Sequence, residues 1–226
     1  MDNCYFKMGS KIFRQVIGIP MGSDPAPFMA NLYLFHYENI FMRNLKKEDI
    51  QKARRFGNVF RFIDDLCAIN DNGLFEEYYK DIYPKDLILT KENQGNKHAS
   101  FLDLDITILD KKFNLKLYDK RDAFSFSIVR MPHITNNMPS KIFYSTTGSE
   151  ILRIATCTTD ASQFVTTCKN LLTRMFNQGA RYMKTKTTLN KFFNKNKYVF
   201  SKFFENSESM CKDIIPTNIQ HDLASL

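Results

Sequence analysis

Two adjacent carboxylates, Asp64 and Asp65, stand inside the run Arg61-Phe62-Ile63-Asp64-Asp65-Leu66. Held side by side they repel unless a cation joins them. Their oxygens suit Mg²⁺, which keeps coordination positions open for water and phosphate. Two such ions can clamp the attacking and leaving oxygens of an in-line phosphoryl displacement. The flanking runs, residues 58–63 and 66–70, are apolar and strand-like, so Asp64-Asp65 is expected as the two-residue loop of a hairpin. Taken alone, the pair is also what an ordinary solvated turn contains, because Asp favours turns. No Ser-His-Asp set, P-loop or zinc spacing accompanies it in the sequence.

The elements that must position this pair follow from periodicity and punctuation. Residues 4–8 and 11–17 read as a hairpin around Gly9-Ser10, followed by the loop Gly18-Ile19-Pro20-Met21-Gly22. Ser23 or Asp24 is expected to cap a helix with Pro25 near its first position. Residues 28–37 are apolar nearly all round, which predicts a buried helix. Leu74, Phe75, Tyr78, Tyr79 and Ile82 recur at helical spacing before Pro84. Residues 87–90 read as a short strand, and 101–109 with 113–118 as a hairpin around Asp110-Lys111-Lys112. The order helix, strand, strand, helix, strand is a split β-α-β-β-α-β unit without its first strand, in an α+β chain. That first strand lies in the middle of such a sheet, so its absence predicts unpaired edges. Further on, Asp160-Ala161-Ser162-Gln163 resembles a capping box, and Gly179 stands where a helix cap belongs. The stretch after Glu205 is polar and expected to be loose.

With 226 residues, 43% of them hydrophobic and 21 of them Phe, the chain can bury a core. Its net charge of +8 and pI of about 9.2 suit an anionic partner, nucleic acid being the commonest, or else an unspecialised basic surface. The five Cys are irregularly spaced and read as free thiols of a reducing compartment. No apolar run reaches membrane-spanning length and no signal peptide is legible, so no membrane partner and an intracellular place, nucleus or cytoplasm, are expected.

Gln15-Val16-Ile17-Gly18-Ile19-Pro20-Met21-Gly22-Ser23, then Ala26-Pro27, Ala30-Asn31 and the Phe-Ile-Asp-Asp hairpin together resemble reverse transcriptases. Residues 15–31 look like the second palm motif of that family. Residues 61–66 look like its aromatic-x-Asp-Asp motif, with Phe62 where Tyr is more usual. Phe101-Leu102-Asp103-Leu104-Asp105-Ile106 looks like the hairpin that grips the primer. Within the family the likeness is to Penelope-like retroelements, through Met21-Gly22, Ala26-Pro27, Ala30-Asn31, the Phe-Leu-Asp-Leu run, Pro132-His133, Arg153 and Gln178-Gly179. Family members tend to read His-Pro and Arg-Gly-Tyr where this chain reads Pro-His and Gln-Gly-Ala.

The resemblance implies RNA-templated DNA synthesis on an RNA or DNA template with a primer, using deoxynucleoside triphosphates and Mg²⁺, with Mn²⁺ as its substitute. Asp64 and Asp65 would be the catalytic metal ligands, and Gln15, Gly18, Met21, Gly22 and Phe62 would line the nucleotide and template site. Lys91 would be either the lysine that protonates pyrophosphate or a solvated side chain. The implied organisation is a partial palm over residues 1–120, a helical thumb over 121–205 and a loose tail over 206–226. The family's third metal-binding Asp, its fingers and its endonuclease domain have no counterpart in this sequence. The expectation is therefore the rear half of a polymerase core, weakly active or inactive by itself. The alternative is a catalytically inactive nucleic-acid-binding remnant.

Lys184, Lys186, Lys191, Lys195 and Lys197 alternate with Phe and Tyr through residues 184–204. They read as contacts to a nucleic-acid backbone, or as the solvated side of a helix whose Phe side chains form core. His36 reads as a core histidine, His133 as a structural or solvated residue rather than a nucleic-acid contact, and Asp103 and Asp105 as solvated strand residues rather than metal ligands.

Overall fold

The computed structural model describes residues 4–20, 22–93, 95, 97–126, 128–129 and 131–217. The chain is α+β, with short antiparallel sheets and eight α-helices among the described residues. It divides into two compact units, Met1–Lys91 and Glu92–Leu226. The boundary expected near Lys120 falls inside the second unit, because the strands after Lys91 pack with the helices that follow them.

In the first unit, β1 (Tyr5–Met8) and β2 (Lys11–Arg14) form a hairpin in which Gly9 takes a φ of +62°. Helix α1 (Ala26–Glu48) follows the glycine loop. Neither Ser23 nor Asp24 caps it. Pro25 holds the cap position without a side-chain bond, and the Ser23 hydroxyl donates to the Pro20 carbonyl instead. Helix α2 (Ile50–Arg55) is capped by Asp49, which accepts from the Lys52 amide. A 3₁₀ turn, Phe56–Asn58, leads into β3 (Val59–Phe62) and β4 (Asp65–Ala68). Helix α3 (Leu74–Ile82) starts after Gly73 and stops before Pro84, as the sequence predicts. Leu45, Ala53, Phe56, Leu74, Ile82 and Tyr83 are the buried centre, with the Phe41 and Tyr78 rings against Phe56.

Two expectations fail in this unit for one physical reason. Residues 87–90 are not a strand, and Ile88 is 89% exposed. Among the described residues no strand is laddered to residues 87–90, and an extended segment without a ladder partner is not a strand. Likewise α1 is not buried: Phe28 is 69% exposed, and Leu32 and Phe35 are also open. An all-round apolar helix buries only the side that meets a neighbour, here Leu34, Phe41, Met42 and Leu45.

In the second unit, β5 (His98–Phe101), β6 (Leu104–Leu109) and β7 (Lys112–Leu117) form an antiparallel meander. The segment expected as one strand over 101–109 is broken by a turn at Leu102-Asp103. The loop expected as Asp110-Lys111-Lys112 narrows to Asp110-Lys111, both at positive φ, the pattern of a two-residue hairpin turn. Thr159 covers the outer edge of β7: its amide donates to the Leu115 carbonyl, and the Leu115 amide donates to its hydroxyl.

Helices α4 (Ser140–Cys157), α5 (Ala161–Asn177), α6 (Tyr182–Lys195), the single turn α7 (Lys197–Phe200) and α8 (Ser207–Ile214) enclose the larger core. A Cβ on Gly148 of α4 would lie 2.4 Å from the Phe192 ring of α6, so those helices approach closely only at a glycine. The expected loose tail is corrected over its first part. Asn206 caps α8 by accepting from the Glu208 and Ser209 amides, and Met210, Ile214 and Ile215 are fully buried.

Candidate functional site

Strands β3 and β4 pair Phe62 with Asp65, so the loop of this hairpin is Ile63-Asp64 and not Asp64-Asp65. Asp64 is the second loop residue and Asp65 opens β4. Both side chains are exposed, and neither carboxylate has a hydrogen bond or ion pair among the described residues. Ile63 takes a φ of +55°, a region that a β-branched residue rarely enters. Such a state persists only where its surroundings over-determine it.

Arg61, to which the sequence alone drew no attention, bonds the Ile63 carbonyl. Its side chain is 13% exposed and forks onto Glu38 of α1, with Nε donating to Oε1 at 2.5 Å and Nη2 to Oε2 at 3.0 Å. Its Nη1 donates to the Asn31 Oδ1 at 2.7 Å and to the Ile63 carbonyl at 3.0 Å. The Tyr83 hydroxyl donates to Glu38 Oε1 at 2.7 Å, and burial, then this carboxylate, push its phenol well above the ordinary range. The signal in the sequence was an Arg alternating with apolar residues in a strand, since arginine is almost never buried without a partner.

Asn31 lies five residues, roughly 7.5 Å, into α1. The hairpin tip is therefore tied to the end of the helix that the glycine loop enters. In that loop the Gln15 side chain donates to the Ile17 carbonyl and lies over Gly18, where a Cβ would meet its Nε2 at 3.7 Å. Gly18 and Gly22 take φ values of +86° and +85°. Met21 lies outside the described residues. Phe62 is 55% exposed beside the two carboxylates in sequence.

Exposed carboxylates free of other cations suit Mg²⁺ by chemistry, and Asp64 and Asp65 are the residues that would hold it. No group of three or more His, Cys, Asp or Glu side chains is placed to hold a metal ion among the described residues. Asp103 and Asp105 are engaged elsewhere. Asp103 accepts from Nε and Nη2 of Arg153 on α4, and Asp105 is buried between His98 and Lys116 rather than solvated. Lys91 pairs with Glu76. The ring of His133 packs on the helix cap at Gly179, whereas His36 is exposed beside Tyr37 and is not a core residue.

The lysines of α6 divide. Lys184, Lys191 and Lys195, seven and four residues apart, share one exposed face. Lys186 lies on the other flank, half-buried, where its charge acts on Cys211. Thr185, Leu189 and Phe193 form the buried side, so the helix is amphipathic, with a solvated lysine face opposite its core side. Lys197 follows on α7 beside Tyr198, which is 80% exposed. Residues 161–204 carry nine Lys or Arg and no Asp or Glu.

Compared with known proteins, the chain matches no family model, no curated protein and no solved structure. No helix among the described residues is long and apolar enough to cross a membrane.

Proposed function

We propose that this chain is the palm and thumb part of an RNA-directed DNA polymerase of the reverse-transcriptase type, intracellular, acting on a primed RNA or DNA template with deoxynucleoside triphosphates. The observation that carries the reading is the pair Asp64 and Asp65, exposed and unpaired at a hairpin tip that Arg61 braces. The glycine loop at the same end of α1 and the basic face of α6 and α7 support it.

In this reading Asp64 and Asp65 present carboxylate oxygens to Mg²⁺, which when bound neutralises charge on the phosphates in transfer. Gly18 and Gly22 leave room for backbone approach to the incoming nucleotide. Gln15 lines that site, and the exposed Phe62 ring gives the primer end an apolar surface. Lys184, Lys191, Lys195 and Lys197 contact backbone phosphates. A second reading, nucleic-acid binding without catalysis, is favoured because among the described residues no third His, Cys, Asp or Glu side chain joins the two carboxylates.

Fe²⁺ in place of Mg²⁺, with added hydrogen peroxide and ascorbate, distinguishes these readings: Fe²⁺ is oxidised to Fe³⁺ as it splits peroxide into hydroxide and a hydroxyl radical that cuts whatever lies beside it, and ascorbate reduces the iron again. With primed template present, scission of the protein at residues 63–66 and of the primer at its 3′ end is expected, both lost in Asp64→Ala. Binding without such scission supports the second reading, and primer scission that persists in Asp64→Ala overturns the first. Primer extension by the isolated chain is expected to be weak or absent.

A further inference from the structure

We infer that Arg61 is a positioning residue, which with Glu38, Asn31 and Tyr83 fixes the backbone of the hairpin tip so that the Asp64 and Asp65 carboxylates stay free; as a statement about metal binding this rests on the reading just given.

The chain contains its own comparison. Two of its hairpins turn in the same way: Phe62-Ile63-Asp64-Asp65 and Phe101-Leu102-Asp103-Leu104. In each a branched aliphatic residue takes the first loop position at positive φ, +55° at Ile63 and +54° at Leu102, with Asp second. In each an arginine holds the turn. Arg153 does so by taking the Asp103 carboxylate itself, with Nε to Oδ2 at 3.0 Å, and so occupies the acid. Arg61 reaches past the acid. Its Nη1 takes the Ile63 carbonyl and Asn31, and its remaining edge is filled by Glu38. The Glu38 fork also removes the reason for Arg61 to turn toward Asp64, because its charge is already matched. Tyr83 completes this by donating to the same Glu38 oxygen that Nε uses.

Such bracing has work to do. β3 and β4 have four residues each and form a sheet of two strands, and an isolated two-stranded hairpin is marginal in water. Lysine cannot replace the fork, since a single ammonium cannot hold a bidentate carboxylate and a carbonyl in one plane.

The test uses the full chain and two readouts, amide hydrogen exchange and Mn²⁺ broadening of amide resonances, in wild type, Arg61→Lys, Tyr83→Phe and Phe56→Leu. Phe56 is buried in the same unit with its ring against Phe41 and Tyr78, and its side chain has no hydrogen bond to give the network, so Phe56→Leu reports plain destabilisation. Arg61→Lys is expected to speed exchange at Phe62 and Asp65 by about tenfold beyond the unit-wide change seen in Phe56→Leu. It is expected to raise the Mn²⁺ concentration for half-broadening at residues 64 and 65 by about fivefold, with Tyr83→Phe intermediate and Phe56→Leu unchanged. Exchange at the tip that rises no more in Arg61→Lys than in Phe56→Leu overturns the positioning role, whatever Mn²⁺ does. If the exchange result holds and wild type shows no broadening at residues 64 and 65, the brace stands and the metal-site reading fails.

Discussion

A branched aliphatic residue at positive φ costs roughly 1–2 kcal/mol of backbone energy, and Ile63 and Leu102 both sit there. Asparagine tolerates that region, because its short polar side chain bonds locally. Replacing Ile63 by Asn removes most of the strain and loses a half-buried side chain whose burial is worth about 1 kcal/mol. The two changes are of similar size, so Ile63→Asn is expected to leave stability within about 1 kcal/mol of wild type in urea unfolding, whereas a substitution that removes a well-placed Ile costs 2–5 kcal/mol. A loss in the latter range would show that the Ile63 side chain, not the turn, sets the local energy. The residue scale is also where the sequence was most and least informative. Asp64 and Asp65 were legible as a hairpin tip because apolar runs flank them. The loop frame was not, because it requires Ile at positive φ, which sequence preference argues against. Arg61 drew no attention as one letter in a motif, and its meaning depends on Glu38 and Tyr83, which are 23 and 45 positions apart from Arg61 and from Glu38 respectively.

Elements decide which charges act together. The sequence interleaves lysines with aromatics over residues 184–204, and only helical geometry separates Lys186 from Lys184, Lys191 and Lys195. If the shared face binds a nucleic-acid backbone, each lysine that neutralises a phosphate releases counterions, adding about 0.9 to the slope of log K against log salt on duplex DNA. Neutralising Lys184, Lys191 and Lys195 to Gln is expected to flatten that slope by about 2–3. Lys186→Gln should change it by well under 1. Equal effects for Lys186 and its neighbours in filter-binding titrations would remove the single-face geometry, and no effect from the triple substitution would make the face a solvated one. Helix α8 teaches the complementary lesson. Its sequence is polar enough to read as tail, yet Met210, Cys211 and Ile214 recur at helical spacing after the Asn206 cap, and that short stripe suffices when a core is there to receive it. Residues 87–90 have the opposite history: strand-like composition, and no partner to make a strand of them.

At the scale of the whole chain the two units differ in how completely they bury what they carry. In Glu92–Leu226 five helices close over Phe143, Phe164, Leu172, Phe193, Phe200 and Met210, all nearly or wholly out of water. In Met1–Lys91 every residue of β1 and β2 is exposed, Val16 and Ile17 are open, and α1 leaves one apolar side uncovered. Burial contributes roughly 25 cal/mol per Å² of apolar surface, so the second unit holds most of the free energy that opposes unfolding. Local opening follows that distribution, since amides exchange through the cheapest opening available to them. Native-state hydrogen exchange on the intact chain is expected to show the slowest amides in α4, α5 and α6 and amides of β1 and β2 faster by about three orders of magnitude or more, equivalent to about 4 kcal/mol. Amides of β3 and β4 should fall between them, because Arg61 ties that hairpin to α1 while its sheet has no third strand among the described residues. The buried thiols give an independent reading of the same order. Burial raises Cys211 to about 11 and Cys168 further still, so both are thiols rather than thiolates at neutral pH and should react with alkylating reagents only when the second unit opens, well after Cys4. Uniform exchange across both units would mean that the chain unfolds as one cooperative body, and modification of Cys168 as early as Cys4 would mean that the second unit opens as readily as the first.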